Sequence, residues 1–159
     1  MPRIIRTVTE ISPRVGTSYP APFDAPCLTR RKHALGDAAG LNNFGVNYTI
    51  LPPGAMSAQR HWHRLADEFI MVMHGELVLI TDEGETLLTG GMCAGFPAGE
   101  QNGHHLLNRS TAEAAYLEIG DRLPGDSGEY PDLDMKFDFT SALSIFMHKD
   151  GSPYPVKSR

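Results

Sequence analysis

The sequence lacks an excess of basic residues. It contains 14 Lys and Arg against 19 Asp and Glu, and its formal net charge at pH 7 is −5. Proteins that bind the phosphate backbone of a nucleic acid carry a basic face, because the backbone is densely negative. The charge balance therefore argues against a nucleic-acid-binding protein, and we expect no nucleic acid among its partners.

Long apolar runs and abundant cysteine are also missing. No stretch approaches the roughly 20 apolar residues that a helix needs to cross a bilayer. Residues 1–10 include two arginines but no apolar segment of the kind found in signal peptides. Cys27 and Cys93 lie far apart and do not make a disulfide framework. We therefore expect a cytoplasmic protein with no membrane partner.

Helical periodicity is absent between residues 44 and 120. Short segments in which apolar and polar residues alternate are separated there by Gly- and Pro-containing turns. We predict strands at residues 44–50, 59–63, 68–73, 76–81, 85–88, 92–96, 104–108 and 114–119. Many short, evenly spaced strands indicate an all-β sandwich or barrel.

The two ends of the chain differ from this central part. Residues 12–26 contain four prolines, which lack a backbone donor and favour an extended N-terminal arm. The segment after Pro124 is rich in Gly, Pro and Asp, and we predict one short helix near residues 140–146. We expect a single domain over residues 1–159, with an N-terminal arm at 1–40, a barrel core at 41–120 and a C-terminal extension at 121–159.

The predicted strand at residues 68–73 is apolar on both faces. If Glu68 points into the barrel, Ile70 points inward with it, whereas Phe69, Met71 and Met73 point outward. A strand that is apolar on both sides is normally covered on both sides. The cover is either the arm, the C-terminal tail or a second subunit, and a homodimer is our hypothesis.

Three histidines and one glutamate form the most informative pattern. His61 and His63 flank Trp62 on one predicted strand, so alternation turns both imidazoles to one side and the indole away. Glu68 begins the neighbouring strand, and His104 arrives on another. Three nitrogens and one oxygen suit Mn, Fe, Co, Ni, Cu or Zn better than calcium or magnesium. The absence of a nearby thiolate disfavours a structural zinc site.

Several other histidines compete less well for this role. His105 is adjacent to His104, and only one of two neighbouring strand residues faces inward. His33, His74 and His148 are isolated, and we interpret each as a turn or surface residue. The predicted metal ligands are therefore His61, His63, Glu68 and one residue of the His104–His105 pair.

Two segments resemble the paired motifs of the cupin superfamily. The first motif is matched by residues 54–75, with Gly54, His61, His63, Glu68 and Gly75, and the second by residues 91–108, with Gly91, Pro97, Gly99, His104 and Asn108. The resemblance implies a jelly-roll β-barrel with a metal near one mouth. The wider pattern is similar to stand-alone bacterial cupins that are often called sugar-phosphate isomerases.

The second motif departs from the usual spacing. Its histidine normally follows the glycine by three positions, and Asn102 stands there in this chain. His104 keeps the usual four-residue step to Asn108, so the resemblance assigns the fourth ligand to His104. Asn102, through its amide oxygen, and His105 are the alternatives.

Residues next to the ligands are candidates for substrate contact. Strand parity turns Gln59 toward the pocket with His61, and Tyr48 is either an acid–base group or part of the barrel wall. The same two roles are open to Tyr116. A phosphorylated substrate would need a cation, for which Arg64 and Arg109 are candidates at strand ends. Arg60 should point outward, and we interpret the Arg30–Arg31–Lys32 cluster as a solvated loop.

These residues favour a metal-dependent enzyme that acts on a small polar metabolite. A divalent transition metal, such as Mn, Fe, Ni or Zn, could polarise a carbonyl or acidify bound water. Cupin-like chemistry includes isomerisation and dioxygenation, and the ligand set does not choose between them. The alternative is a non-catalytic protein that binds or senses a sugar or a small acid.

Overall fold

The computed structural model describes residues 1–140 and 145–155. Within these residues the chain is built almost wholly from short antiparallel strands, with one short α-helix and two 3-10 turns. No helix among them is long and apolar enough to span a membrane. The helix predicted near residues 140–146 falls mainly on residues 141–144, which lie outside the described residues. At its end, Phe146 belongs to a strand.

The secondary structure follows the turn signals of the sequence. The α-helix α1 is Leu35–Ala39, and the two 3-10 helices are Val8–Glu10 and Ala25–Cys27. The strands are β1 Arg14–Val15, β2 Arg31–His33, β3 Phe44–Leu51, β4 Trp62–His63, β5 Glu68–His74, β6 Glu76–Thr81, β7 Gly84–Thr89, β8 Cys93–Phe96, β9 His105–Leu107, β10 Ala114–Asp121, β11 Ser127–Tyr130, β12 Met135–Asp138 and β13 Phe146–Met147.

Three sheets enclose the core. A six-stranded sheet has the order β1-β2-β3-β10-β5-β8, a three-stranded sheet the order β7-β6-β9, and a four-stranded sheet the order β13-β12-β11-β4. Buried side chains from the six-stranded sheet, including Val72 and Tyr116, pack against Leu77, Leu79 and Leu106 of the three-stranded sheet. The predicted all-β jelly-roll barrel is confirmed.

The first predicted ligand strand is shorter than expected. Residues 59–63 yield only the two-residue strand β4, and His61 forms an isolated bridge with His104. The side chains before β4 are held elsewhere, because Gln59 Nε2 donates to the Phe23 carbonyl at 2.7 Å and Arg60 pairs with Asp132. Side-chain contacts, rather than a regular ladder, therefore guide this segment into the barrel.

The N-terminal arm and the C-terminal extension pack against each other. Tyr19 and Cys27 of the arm join Tyr130, Met135 and Phe137 of the extension in a second buried cluster. Within the stretch predicted to be extended, residues 12–26, the structure has β1 and the start of the 3-10 helix Ala25–Cys27, and β2 and α1 follow it. The extension supplies β11, β12 and β13, and β11 pairs with β4. Through that pairing the end of the chain positions one of the candidate ligands.

Strand β5 has the two faces that the sequence predicts. Ile70 and Val72 are buried in the core, at 5% and 0% exposure. On the opposite face Phe69 and Met73 remain 40% and 44% exposed, so neither the arm nor the described part of the extension covers them. Met71 lies half-buried on that same face.

Candidate metal centre

Three of the predicted ligands come together between the sheets. His61 and His104 are joined by two backbone hydrogen bonds, His104 N–H to His61 O at 2.9 Å and His61 N–H to His104 O at 3.3 Å. Glu68 begins β5 on the facing sheet. Donor atoms of His61, Glu68 and His104 all lie within 4.8 Å of one another. This group has the composition of a metal site, and these three residues are partly or fully buried.

His63 lies at the edge of the same group. Its Nε2 is 3.5 Å from Glu68 Oε1, and its ring centroid is 5.1 Å from that of His61. The structure thus brings together all four residues predicted as metal ligands. We refer to His61, His63, Glu68 and His104 as the His/Glu cluster.

The hydrogen bonds of two imidazoles identify their tautomers. His61 Nδ1 lies 2.8 Å from the Gln59 carbonyl oxygen, and His63 Nδ1 lies 2.6 Å from Asp126 Oδ2. Because both partners are oxygen acceptors, each Nδ1 carries a proton. Nε2 is therefore the ring nitrogen that remains for a metal in the neutral form of each imidazole.

Asp126 is a functional residue that the sequence did not reveal. It is 3% exposed, and its second oxygen accepts the Leu65 N–H at 2.9 Å. A carboxylate behind a histidine orients the ring and raises its basicity. The only signal in the sequence was its place in the turn after Pro124, and nothing local connects that turn to His63.

His104 is held differently from the other two histidines. Its Nε2 lies 2.8 Å from Glu68 Oε2, and its ring stacks on Phe96 at a centroid distance of 3.5 Å and an angle of 2°. Its Nδ1 is buried and has no hydrogen-bond partner among the described residues. The stacking fixes the plane of the ring, and the carboxylate acceptor indicates that Nε2 carries a proton in this contact, which a metal would replace.

The protonation states of the cluster also suit a metal. Burial lowers the pKa of His61 to about 4, so this imidazole is neutral at pH 7. Burial by itself would raise the pKa of Glu68, but the hydrogen bond with His104 and the neighbouring imidazoles outweigh it and lower the pKa. A neutral imidazole beside a carboxylate is the state that binds a cation. The residues present fit a divalent first-row transition metal.

The two alternative ligands lie outside the cluster. His105 Nδ1 is 3.0 Å from the Ala58 carbonyl oxygen. Asn102 accepts the Asp82 N–H at 2.8 Å, and its own amide donates to Glu83 at 2.7 Å. The structure thus brings His104, rather than Asn102 or His105, to His61 and Glu68.

The side chains of the two predicted catalytic residues, Tyr48 and Gln59, do not reach the His/Glu cluster. Tyr48 pairs with Leu117, whereas their strand neighbours Thr49 and Tyr116 pair with each other and are buried. Tyr48 therefore points to the outer face of the six-stranded sheet, where its ring lies 6.3 Å from that of His33. Gln59 uses its amide to hold the arm and meets the site only through its carbonyl oxygen.

A comparison with known proteins identifies the family. The family model called Cupin domain matches residues 47–120. The chain is 44% identical to a sugar phosphate isomerase of the cupin superfamily from Silicibacter pomeroyi, with 96% of this chain and 97% of that chain covered and a TM-score of 0.87. The protein belongs to the cupin superfamily.

Two further solved structures resemble this cupin. A protein from Acidithiobacillus ferrooxidans, assigned provisionally as a sugar phosphate isomerase, is 29% identical over 69% of this chain and 70% of that chain, with a TM-score of 0.66. The polyketide cyclase RemF from Streptomyces resistomycificus is 18% identical over 76% and 79%, with a TM-score of 0.60, and this likeness extends to the fold alone. No curated protein matches the sequence.

The His/Glu cluster of this cupin lies between two cavities of about 190 Å³ each. The first, here called the Trp62 cavity, is lined by residues that include Trp62, His63, Glu68, Phe96, Glu100 and His104. The second, the Arg30 cavity, is lined by residues that include Arg30, Lys32, His61, Glu68, Tyr116 and Glu118. Glu68, Phe96 and His104 line both cavities, so a small molecule in either one reaches the cluster. Trp62, which alternation predicts to face away, also lines a cavity.

The cationic residues are distributed differently from what the sequence indicates. Arg30 and Lys32 line a cavity, so the interpretation of their cluster as a solvated loop is wrong for these two residues. The reason is that β2 pairs with β3, which places Lys32 opposite the inward-facing Thr49. Arg109 forms an exposed pair with Glu85, and Arg60 lies outside the cavities as predicted, paired with Asp82 and Asp132.

Proposed function

We propose that this cupin is a metal-dependent enzyme that isomerises a small hydroxy-carbonyl metabolite. The observation that carries this proposal is the position of the His/Glu cluster at the junction of two small cavities. The 44% identical protein from Silicibacter pomeroyi is named a sugar phosphate isomerase, which supports the reaction class. The fold alone would not support a reaction class, since proteins with the same fold catalyse many different reactions.

The four residues of the cluster would hold a divalent Mn, Fe, Ni or Zn ion. Such an ion, when bound, polarises a carbonyl or hydroxyl oxygen of the substrate. The chain keeps the ligands ready for it, because Asp126 and the Gln59 carbonyl orient the rings of His63 and His61. Little rearrangement would then be needed on binding.

Glu118 is the residue we assign to proton transfer. It lines the Arg30 cavity together with Glu68, and its Oε1 pairs with Lys32 Nζ at 2.7 Å. Burial alone would raise its pKa, but the Lys32 ammonium outweighs burial and lowers the pKa, so Glu118 is a carboxylate at neutral pH. Its Oε2 has one weak partner, Tyr116 Oη at 3.4 Å, and is available to accept a proton from a substrate carbon.

Tyr116 would act beside it as a hydrogen-bond donor. Its side chain is 1% exposed, and burial raises its pKa well above the ordinary value. The hydroxyl therefore stays protonated throughout the neutral range. In this position it can donate to a substrate oxygen while Glu118 exchanges the proton on carbon.

Metal dependence is tested by removing and restoring the ion. Protein purified without added metal is analysed for its elements, stripped with a chelator and assayed against a panel of hydroxy-aldehydes, keto acids and phosphosugars. We expect turnover to disappear on chelation and to return with one of Mn, Fe, Ni or Zn. Turnover that is indifferent to chelation would contradict the proposal, and saturable binding without turnover would favour the sensor alternative.

The ligand assignment is tested with single alanine variants. We expect His61→Ala, His63→Ala and His104→Ala each to lose stoichiometric metal, because each removes a nitrogen of the cluster. His105→Ala is the matched control, since its ring lies next in sequence but bonds to the Ala58 carbonyl. Full metal retention in His104→Ala would show that the fourth ligand is a different residue. Elemental analysis of the folded fraction provides the measurement.

We further propose that the protein is a cytoplasmic homodimer that binds no nucleic acid. Support for a second copy comes from Phe69 and Met73, which lie exposed on one face of the six-stranded sheet. Support for the location comes from Cys27 and Cys93, which are both unpaired. The net charge of −5 supports the absence of a nucleic-acid partner.

A further inference from the structure

Arg30 is a half-buried cation that lines a cavity next to the His/Glu cluster. Of its five N–H groups, one on Nη1 donates to the Ser57 carbonyl and one on Nη2 to the Gly16 carbonyl at 2.9 Å. Its Nε is buried and has no acceptor among the described residues. The two carbonyls hold the guanidinium in place, but they are neutral, and the nearby Glu118 carboxylate acts on its charge without a direct ion pair.

The neighbouring lysine is in a different state. Lys32 is paired with Glu118 at 2.7 Å, and both side chains are mostly buried. Arg30 forms no ion pair within the part of the chain that the structure describes. Of the two cations that line the Arg30 cavity, Arg30 is therefore the one that lacks an anionic partner.

The Trp62 cavity is less suited to an anionic group than the Arg30 cavity. Among the described residues that line the Trp62 cavity there is no lysine or arginine, and Glu100 adds a negative charge there. Of these two cavities, the Arg30 cavity is therefore the one whose lining favours an anionic substituent on a ligand that reaches the cluster with a neutral oxygen. Arg30 is suited to such a substituent, because its planar fork matches an oxyanion, whereas Arg122, near His63 in a third cavity, is already paired with Asp37.

The surroundings limit the charge of that substituent. Glu68 and Glu118 line the same cavity, so a second negative charge on the ligand would face two carboxylates. A substituent with one negative charge satisfies this condition better than a doubly charged phosphate ester does.

We infer that Arg30 binds the carboxylate of a short hydroxy-oxo acid whose aldehyde or ketone oxygen lies at the His/Glu cluster, with the corresponding hydroxy acid as a non-reacting analogue. This inference rests on the proposed function, since it gives the substrate class of the same site. Arg30 is then the residue that selects carboxylates over neutral polyols. It also distinguishes the substrate of this chain from a phosphosugar.

Three probes with the same carbon skeleton test the charge preference. Glycerate, glycerol and glycerol 3-phosphate are titrated calorimetrically into the metal-loaded protein. We expect glycerate to bind about tenfold more tightly than glycerol, because a hydrogen bond to a charged group contributes enough for that factor. Glycerol 3-phosphate should bind more weakly than glycerate. Tighter binding of the phosphate would overturn the carboxylate assignment, and equal binding of glycerate and glycerol would overturn the role of Arg30.

Variants of two adjacent arginines test whether the preference for glycerate over glycerol depends on Arg30. Arg30→Met should reduce glycerate affinity to that of glycerol and leave glycerol affinity unchanged. Arg30→Lys should recover part of the difference, since it restores the charge without the fork. Arg31→Met is the matched control, because Arg31 pairs with the exposed Glu113. Unchanged glycerate affinity in a folded Arg30→Met protein would overturn the inference.

Metal analysis of each sample separates this inference from the proposed function. If the wild-type protein binds no metal, the proposed function fails, while the glycerate and glycerol titrations of the metal-free protein still test Arg30. If metal binds but Arg30 has no effect, only the inference fails. Arg30 also holds Gly16 and Ser57, so circular dichroism checks that Arg30→Met is folded. If it is not, the wild-type probe series decides the outcome.

Discussion

At the scale of single residues, hydrogen bonds behind the imidazoles prepare the candidate metal site. His61 and His63 each use Nδ1 to meet an oxygen acceptor, so Nε2 is the remaining ring nitrogen in both. The acceptors differ in kind, because one is the Gln59 carbonyl and the other is the Asp126 carboxylate. The carboxylate is the stronger acceptor and the one that can be altered by substitution.

Asp126→Asn should weaken metal binding about 10- to 100-fold while the protein stays folded, because the ring of His63 loses its anionic partner. The isosteric amide keeps the volume of the side chain. The control is Asp134→Asn, which alters a similar pair with the half-buried His148. Competition with a chelator at pH 7 measures the affinity. Equal affinity in the Asp126 variant and the control would contradict an orienting role for Asp126.

The stability of the metal-free protein should fall as the pH is lowered from 6.5 to 4. The pKa of His61 is about 4 in the folded protein, below its ordinary value of 6.5. Between these values the unfolded chain binds a proton that the folded chain does not, so acid favours unfolding. The lowered pKa of Glu68 acts in the same direction below its ordinary value of 4.5. The loss from His61 is about 2 to 3 kcal/mol.

Urea denaturation at several pH values measures this effect. His61→Gln should show a smaller decrease in the free energy of unfolding over the same range. His148→Gln, which alters a half-buried histidine far from the cluster in sequence, should keep the wild-type slope. A wild-type stability that stays constant between pH 6.5 and 4 would show that His61 is not desolvated as the structure indicates.

At the scale of elements, the pairing of β4 with β11 places His63. In this pair His63 lies opposite Gly128, and Gly128 lies opposite Phe137 on β12. A Cβ at Gly128 would overlap the Trp62 carbonyl oxygen and lie 2.6 Å from two ring carbons of Phe137. The absence of a side chain at this position is what lets three strands approach beside the cluster.

Gly128→Ala should therefore destabilise the protein by about 1 to 3 kcal/mol and weaken metal binding, since β4 must move away from β11. Gly95→Ala in β8 is the control, because the nearest atom to its Cβ is the Glu68 carbonyl oxygen at 4.0 Å. Thermal melting and metal titration provide the measurements. A Gly128 variant that resembles the control in both would mean that β4 does not depend on this contact.

At the scale of the whole molecule, the outer face of the six-stranded sheet is the surface that we propose for contact with a second copy. Phe69 and Met73 on β5 are exposed, and Leu117 and Ile119 of the adjacent β10 lie half-buried on the same side. Contiguous exposed apolar side chains on a regular sheet are typical of subunit contacts. A twofold axis would let the same face bury itself.

We expect a mass twice that of the monomer in light scattering at micromolar concentration. Phe69→Glu should convert the protein to a monomer, because it would bury a charge in the contact. Leu87→Glu is the control, since Leu87 is 53% exposed on β7 of a different sheet. A monomeric wild-type protein would remove the homodimer proposal, and the exposed face would then need a different explanation.

The sequence allowed much of the barrel and the candidate site to be predicted. Alternation on β5 separated Ile70 and Val72 from Phe69, because side-chain direction along a regular strand has a period of two. The same rule failed around β4, where the strand has only two residues and Trp62 lines a cavity. Alternation along the strand did not determine whether the Tyr48 side chain faces the barrel interior, and the pairing of β3 with β10 turns it outward.

The sequence by itself determined the kind of chemistry, because three imidazoles and a carboxylate spaced along strands carry their ligand preferences wherever they fold. The tertiary structure alone decided which residues form hydrogen bonds to these ligands and which residues line the adjacent cavities. Asp126 reaches His63 from 63 positions away, and Arg30, next to β2, lines a cavity with His61 and Glu68. Such contacts depend on strand pairing between distant segments, and no local pattern of residues specifies that pairing.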